Sequence, residues 1–144
     1  MNRSNVLLAV LSASDGRPFQ PVQIQKAMFL VSQNLPDLVT VGRKYSFAPY
    51  DYGPFDSTVY DDARVLRSAG LARIADAGNG RWSTYSATDE GVEAGTKLLD
   101  GMAEGHRKYI RDVAAWVRKL SFSALVKSIY DAYPQMRENS IFES

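Results

Sequence analysis

The stretch "GLARIADAGNGRWSTYSATDEG", residues 70–91, decides the fold because the spacing of apolar residues changes there. Its two short runs, residues 71–76 and 81–88, do not continue the three- and four-residue spacing of a helix. Asn79-Gly80 between the runs can supply the positive φ angles of a tight hairpin turn. We therefore predict a β-hairpin over residues 71–88.

Two helical patterns precede this hairpin within the first 35 residues. Apolar residues recur at helical spacing over residues 4–13, where Ser4 can cap the helix. Pro21 suits the first position of a second helix, because a proline there loses no helical hydrogen bond. The apolar spacing predicts that this helix runs to about Leu35.

The chain between the second helix and the hairpin is predicted to hold a loop and a third helix. The loop has room for a short extended piece at Leu38 to Val41. The third helix is predicted over residues 56–69, with Asp56 or Ser57 as its cap. Gly70 stands where a C-terminal cap belongs.

The remainder of the chain is predicted to be helical. Thr88 or Asp89 caps a fourth helix, and residues 136–144 look frayed or dependent on a partner. Two apolar stripes at helical spacing follow the fourth helix. They are Tyr109, Ile110, Val113, Val117 and Leu120, and then Leu125, Val126, Ile129, Tyr130 and Tyr133.

The order helix, helix, helix, hairpin, helix is that of a winged-helix domain. The hairpin segment resembles the wing sequences of winged-helix regulators. We predict an α+β, mainly helical protein with one domain over residues 1–144. Residues 1–100 form the winged-helix-like core of three helices and a wing, residues 101–135 add a C-terminal helical layer, and residues 136–144 are a tail.

Composition excludes several classes of function. The 144 residues include no Cys and one His, and the formal net charge is +1. Disulfides, thiolate chemistry and cysteine metal sites are therefore excluded, and any basic surface must be local. No apolar stretch reaches membrane-spanning length, and the apolar run from Val6 to Leu11 is too short for a secretory signal. We expect a cytoplasmic protein that binds no membrane.

The stretch "YSFAPYDYGPFDSTVYDD", residues 45–62, holds five aromatic rings within residues 45–55 and a sixth at Tyr60. One interpretation is that the rings fill the core between two helices. The other is that Gly53-Pro54 forms a rigid turn, with Phe55 buried and tyrosines presented to a partner. A strand would not usually tolerate both prolines of this stretch. The predicted partner-binding residues are Tyr50, Tyr52, Gly53, Pro54 and Tyr60.

Two segments resemble the antitoxin family that carries the SocA-like, or Panacea, domain. They are "IQKAMFLVSQNL" and "FAPYDYGPFDSTVYDDARVL". The matching positions are Lys26 with Met28 and Phe29, Gly53-Pro54, and Val59-Tyr60. The resemblance is nearest to a branch of short bacterial proteins with a Tyr-Gly-Pro-Phe turn. It implies an antitoxin-like or adaptor function, in which the protein neutralises or recruits a protein partner such as a toxin.

A DNA-binding transcriptional regulator is the alternative. If the third helix enters a major groove, arginines on that helix and on the wing can reach the DNA. The carboxylates of Asp56, Asp61 and Asp62 near the start of the helix would repel phosphate. The candidate DNA-binding residues are Tyr60, Arg64, Arg67, Arg73 and Arg81.

Catalysis is poorly supported by the residue types present. His106 lies among charged residues, and zinc hydrolysis needs several clustered His or Cys ligands. Asp61 and Asp62 point about 100° apart on a helix, so with Asp51 they cannot act as one metal clamp. We expect a non-enzymatic binding protein without a metal or cofactor. Its added C-terminal helices could form a homodimer seam.

Overall fold

Six α-helices, two short β-hairpins and two 3-10 turns make up the part of the chain that the computed structural model describes, residues 1–76, 80 and 82–142. The predicted α+β, mainly helical class is confirmed, whereas the winged-helix assignment stays a prediction. The elements are α1 (Arg3–Ser12), α2 (Pro21–Asn34), β1 (Ala48–Tyr50), β2 (Gly53–Phe55), α3 (Thr58–Ser68), β3 (Ala72–Asp76), β4 (Ser83–Ala87), α4 (Asp89–Asp100), α5 (Glu104–Lys119) and α6 (Phe122–Ala132), with 3-10 turns at Pro36–Leu38 and Pro134–Arg137.

Helix α1 is the centre of the fold. Every residue from Val6 to Ser12 is buried, so the helix is surrounded by protein rather than buried on one face. Its cap is Asn2 and not Ser4. The Asn2 side chain accepts a hydrogen bond from the Asn5 backbone N–H at 2.9 Å, and the Asn5 side-chain oxygen accepts one from the Asn2 backbone N–H at 3.0 Å. This reciprocal pair satisfies two N–H groups at the helix start, which explains why the helix begins before Ser4.

Two glycines let α4 lie directly against its neighbours. A Cβ atom added to Gly95 would lie 1.7 Å from Ser12 Oγ of α1. A Cβ atom added to Gly91 would lie 1.8 Å from the carbonyl oxygen of Leu71. The predicted cap at Thr88 is confirmed, since its hydroxyl accepts a hydrogen bond from the Gly91 N–H at 3.0 Å.

The aromatic stretch forms a β-hairpin, although its prolines had argued against strands. Strands β1 and β2 pair antiparallel, with Pro49 opposite Pro54 and Tyr50 opposite Gly53. Directly opposed pairs in such a ribbon alternate between hydrogen-bonded and non-hydrogen-bonded. Because Tyr50 and Gly53 close the two-residue turn, the prolines occupy the non-hydrogen-bonded pair, where a missing N–H costs no ladder bond.

The segment between α2 and the aromatic hairpin is a loop, as predicted. Residues Pro36–Leu38 form a 3-10 turn, and no strand is found at Leu38 to Val41, which lie within the described ranges. Further along, α3 begins at Thr58. The Asp56 carboxylate accepts a hydrogen bond from the Thr58 N–H at 2.9 Å, so Asp56 satisfies an N–H group at the start of this helix.

The predicted second hairpin is present. Strands β3 and β4 pair antiparallel from Ala72 with Ala87 to Asp76 with Ser83. Phe19 joins its edge, donating its N–H to the Tyr85 carbonyl at 2.7 Å. Asn79 of the predicted turn and Arg81 lie outside the described residues.

The C-terminal tail is docked as far as Phe142, whereas a frayed tail was expected. The Ile141 N–H donates to the Asp51 carbonyl at 2.9 Å. The hydroxyls of Tyr130 and Ser140 lie 2.6 Å apart. The tail therefore holds the turn of the first hairpin against α6. No helix among residues 1–76, 80 and 82–142 is both long and apolar enough to cross a membrane.

Candidate functional site

A groove of about 590 Å³ opens between the start of α2, the first hairpin, α3 and the start of α6. We call it the aromatic groove because six rings line it. A site of this volume is large enough for a few side chains of a partner or for a small molecule. The six rings are those of Tyr50, Tyr52, Phe55, Tyr60, Trp82 and Phe122.

The rings of the groove pack on one another. Tyr50 stacks on Phe55 with ring centroids 5.0 Å apart, and Phe55 meets Tyr60 edge-on at 5.9 Å. On the opposite side, Tyr52 meets Phe122 edge-on at 5.0 Å. Each such pair is worth about 0.5–1.5 kcal/mol beyond burial of its area. The walls are therefore held in place without an occupant.

Four rings at the rim of the groove remain open to solvent. Tyr50 is 53% exposed, Tyr52 is 41% exposed, Trp82 is 43% exposed and Phe122 is 41% exposed. The predicted exposure of the two tyrosines is confirmed. Phe55, predicted to be buried, is only half-buried because its ring forms part of the groove wall. Clustered exposed rings of this kind mark interaction surfaces.

The prediction that Gly53-Pro54 forms the turn is wrong, because Tyr50 pairs with Gly53 and the turn is Asp51-Tyr52; Gly53 and Pro54 begin strand β2 at the floor of the groove. Gly53 has φ +104°, and a Cβ atom there would lie 3.3 Å from the Tyr130 ring and 3.5 Å from Lys26 Cε. Pro54 is buried, and its carbonyl accepts a hydrogen bond from Lys26 Nζ at 3.2 Å. These two residues thus bring the tyrosines of the hairpin over Lys26.

Lys26 is a buried cation at the floor of the groove. It is 3% exposed, and burial lowers the pKa of its amine to about 7. Its hydrogen-bond partner in the described part of the chain is a neutral carbonyl. Ion pairs in the described residues join other side chains, and none includes Lys26. A buried amine without a carboxylate keeps its charge at a cost, which is the physical cause of its lowered pKa.

Tyr60 links the groove to the second hairpin. Its ring stacks on Tyr85 with centroids 5.3 Å apart. Burial raises the pKa of Tyr60 to about 12, so it stays a neutral phenol at physiological pH. Nearby, the Gln25 amide exchanges two hydrogen bonds with the backbone of Asp56, at 2.9 and 3.0 Å. The stack holds α3 against β4, and the two hydrogen bonds hold the residues before α3 against α2.

Asp62 belongs to a separate buried cluster on the other side of α3. Arg3 Nε donates to its carboxylate at 2.9 Å, and the Tyr45 hydroxyl donates to it at 2.6 Å. Burial first, and then the hydrogen bond to Asp62, raise the pKa of Tyr45. The expectation that Asp62 presents a free carboxylate that repels phosphate is therefore wrong, because Arg3 neutralises it inside the protein.

The described candidate DNA-binding residues come from α3 and from strand β3. Arg64 forms an ion pair with Asp61, as expected from their spacing, so its charge is offset on that face. Arg67 and Arg73 are exposed on α3 and β3. Tyr60 lines the aromatic groove, and Arg81 lies outside the described residues. DNA binding stays a prediction.

The carboxylates of the described residues do not assemble into a metal site. Over residues 1–76, 80 and 82–142, no group of three or more His, Cys, Asp or Glu side chains could hold a metal ion. Asp61 and Asp62 pair with different arginines. His106 lies in the first turn of α5, partly exposed.

Several residues that line the groove were missed as site residues by sequence reasoning, among them Lys26, Trp82 and Phe122. Lys26 had a usable signal, because Val22 and Phe29 flank it at helical spacing and predict a buried face. Trp82 and Phe122 had no such signal, since both come from segments far from the aromatic stretch in sequence. Only folding brings them to the rim.

No protein-family model and no curated protein sequence matches this chain. The resemblance to the SocA-like antitoxin family therefore stays a prediction, as does the function that it implies.

Proposed function

We propose that this protein is a non-enzymatic interaction module whose aromatic groove receives a segment of a protein partner. The observation that carries this proposal is the ring of four exposed aromatic side chains around one groove. Tyr and Trp are enriched at protein interfaces because they offer large, stiff contact areas with a polar tip.

The preformed walls of the groove favour binding. Because Tyr52 and Phe122 already pack on each other, little side-chain freedom is lost when a partner covers them. The resemblance to the SocA-like family supports an antitoxin-like or adaptor function, in which covering or recruiting the partner is the activity.

Site-specific photocrosslinking tests this proposal. We would replace Tyr52 with benzoylphenylalanine and irradiate the protein in cells of its natural host. The matched control carries the same crosslinker at Val65, which is exposed on α3 but does not line the groove. We expect a discrete covalent adduct from position 52 and none from position 65.

The partner identified by mass spectrometry is then bound to the purified Tyr52→Ala variant. We expect Tyr52→Ala to weaken binding at least about tenfold, as loss of an interface aromatic does. Identical adducts from both positions, or an unchanged affinity of Tyr52→Ala, would refute the groove as the binding surface.

A further inference from the structure

The floor and the rim of the aromatic groove differ in chemistry. The rim is apolar, whereas the floor holds the amine of Lys26 with a single neutral acceptor, the Pro54 carbonyl. An ammonium group has three donors, so this arrangement leaves room for a negatively charged acceptor. The first turn of α2 also borders the groove at Gln20 to Val22, and the N-terminal end of a helix favours anions.

We propose that the bound segment carries a glutamate between large apolar side chains, and that its carboxylate pairs with Lys26 at the floor of the aromatic groove. This inference rests on the proposed function and specifies the chemistry of the partner. The apolar side chains cover the exposed rings of the rim. The carboxylate supplies the counter-charge that the described residues do not give Lys26.

A glutamate side chain suits the depth of the site better than a chain terminus. Lys26 is almost completely buried, so the carboxylate must reach below the rings. The glutamate can do this while its backbone stays at the rim. A terminal carboxylate would carry backbone N–H and C=O groups down with it. The Gln25 amide, which also lines the groove, is already paired with the backbone of Asp56. Unpaired backbone groups among aromatic rings are costly.

Other charged or titratable groups near Lys26 are few. Asp51 of the hairpin turn lines the groove and opposes an incoming carboxylate. The phenols of Tyr50, Tyr52 and Tyr60 face the groove from the first hairpin and from α3. Tyr130 of α6 lies beside Gly53, with the Arg137 guanidinium 4.9 Å from its ring centre. Lys26 is therefore the cation placed to pair with the carboxylate.

Pairing predicts a definite dependence of affinity on pH. The amine of Lys26 has a pKa of about 7 in the free protein, and a bound carboxylate raises it. Above pH 7 the protein must then take up a proton when the glutamate binds. The affinity should fall by about tenfold per pH unit until the pKa of the bound state is reached.

The experiment compares three peptides by isothermal titration calorimetry. The probe is acetyl-Leu-Phe-Glu-Phe-Leu-amide, and its control has Gln in place of Glu. A third peptide has Gln and a free terminal carboxylate. We expect the Glu peptide to bind at least about tenfold more tightly than the others at pH 7. At pH 8 its binding enthalpy should vary with the ionisation enthalpy of the buffer, because a proton is taken up.

Two variants complete the test. Lys26→Met should bind the Glu and Gln peptides equally. Lys127→Met removes an exposed lysine of α6 that pairs with Asp131, and it should behave as the unaltered protein. The pH series on the unaltered protein requires no variant, so a folding defect in Lys26→Met does not decide the outcome.

Each remaining outcome overturns the inference. Equal affinities for the Glu and Gln peptides, or no binding of either at about 1 mM, contradict pairing with Lys26. If the peptide with a free terminal carboxylate binds more tightly than the Glu peptide, the groove recognises a chain terminus and not a glutamate side chain. If crosslinking from position 52 still succeeds in these cases, the proposed function stands without the glutamate. If crosslinking also fails, both proposals fall.

Discussion

Asp62 and Lys26 are both buried charged residues, but they differ in the groups that surround the charge. Asp62 receives hydrogen bonds from Arg3 and Tyr45, so its charge is neutralised within the protein. Lys26 is as deeply buried, but its hydrogen-bond partner among the described residues is a neutral carbonyl at the floor of the aromatic groove. A charge satisfied internally stabilises the scaffold, whereas a charge left without a counter-ion beside an open groove is available to a ligand.

The energetic consequences should differ in sign. Removing one partner of a buried ion pair leaves the other charge buried without a counter-charge, which lowers the free energy of unfolding. Removing an unpaired buried charge relieves a desolvation penalty. Measurements of folding stability can therefore separate the two environments without knowledge of the partner.

The largest effect is expected from the titration of Lys26. Between pH 7 and 10.5 the folded protein binds fewer protons here than the unfolded chain, because burial lowers this pKa from 10.5 to about 7. The contribution of Lys26 to the free energy of unfolding therefore rises with pH across that window, by on the order of 4 kcal/mol in total. Lys26→Met should lack this rise and be the more stable protein at pH 6.5.

Urea unfolding of both proteins from pH 6.5 to 10 measures the difference. Comparing the two cancels the titration of buried tyrosines, which is common to them. The exposed control Lys127→Met should follow the unaltered protein. Parallel pH profiles for Lys26→Met and the unaltered protein would show that Lys26 is solvated or paired, which removes the contrast with Asp62.

The second effect comes from the paired carboxylate. Asp62→Ala should lower the free energy of unfolding by about 3 kcal/mol, near the lower end for breaking a buried pair. The lower end applies because the Arg3 side chain is 26% exposed and water can partly solvate it. Asp61→Ala is the matched control on the same helix. Its pair with Arg64 is exposed, so its loss should cost less than about 1 kcal/mol. Equal losses would mean that Asp62 is no more structural than Asp61.

The smallest effect should come from the rim of the groove. Tyr52→Ala should lower the free energy of unfolding by about 1 kcal/mol, because the side chain is 41% exposed and what it loses is mainly the ring contact with Phe122. Phe55→Ala should cost about 2 kcal/mol, less than a fully buried aromatic, because Phe55 is half-buried. Thermal melts of the two variants at pH 7 test this order. If Tyr52→Ala melts at or below Phe55→Ala, the rim is part of the core and not a binding surface.

The sequence predicted the ends of helices correctly where one residue type strongly prefers one position at a helix end. Pro21 opens α2, Thr88 caps α4, and Gly70 follows α3 with φ +78°. The same reasoning failed for Pro49 and Pro54. Whether a proline harms a strand depends on which side of a hydrogen-bonded ladder it occupies, and the partner strand decides this.

The sequence by itself determined the helices, the second hairpin and an aromatic stretch with tyrosines suited to the surface. Only the tertiary structure shows that those tyrosines border a groove with Lys26 at its floor. Lys26, Tyr52, Trp82 and Phe122 come from separate segments, and only packing of α2, the first hairpin and α6 assembles them into one groove. The same holds for the two charges. The sequence does not show whether a lysine or an aspartate is solvated, paired or buried without a counter-charge. The free energy of a charge depends on the groups that folding places around it.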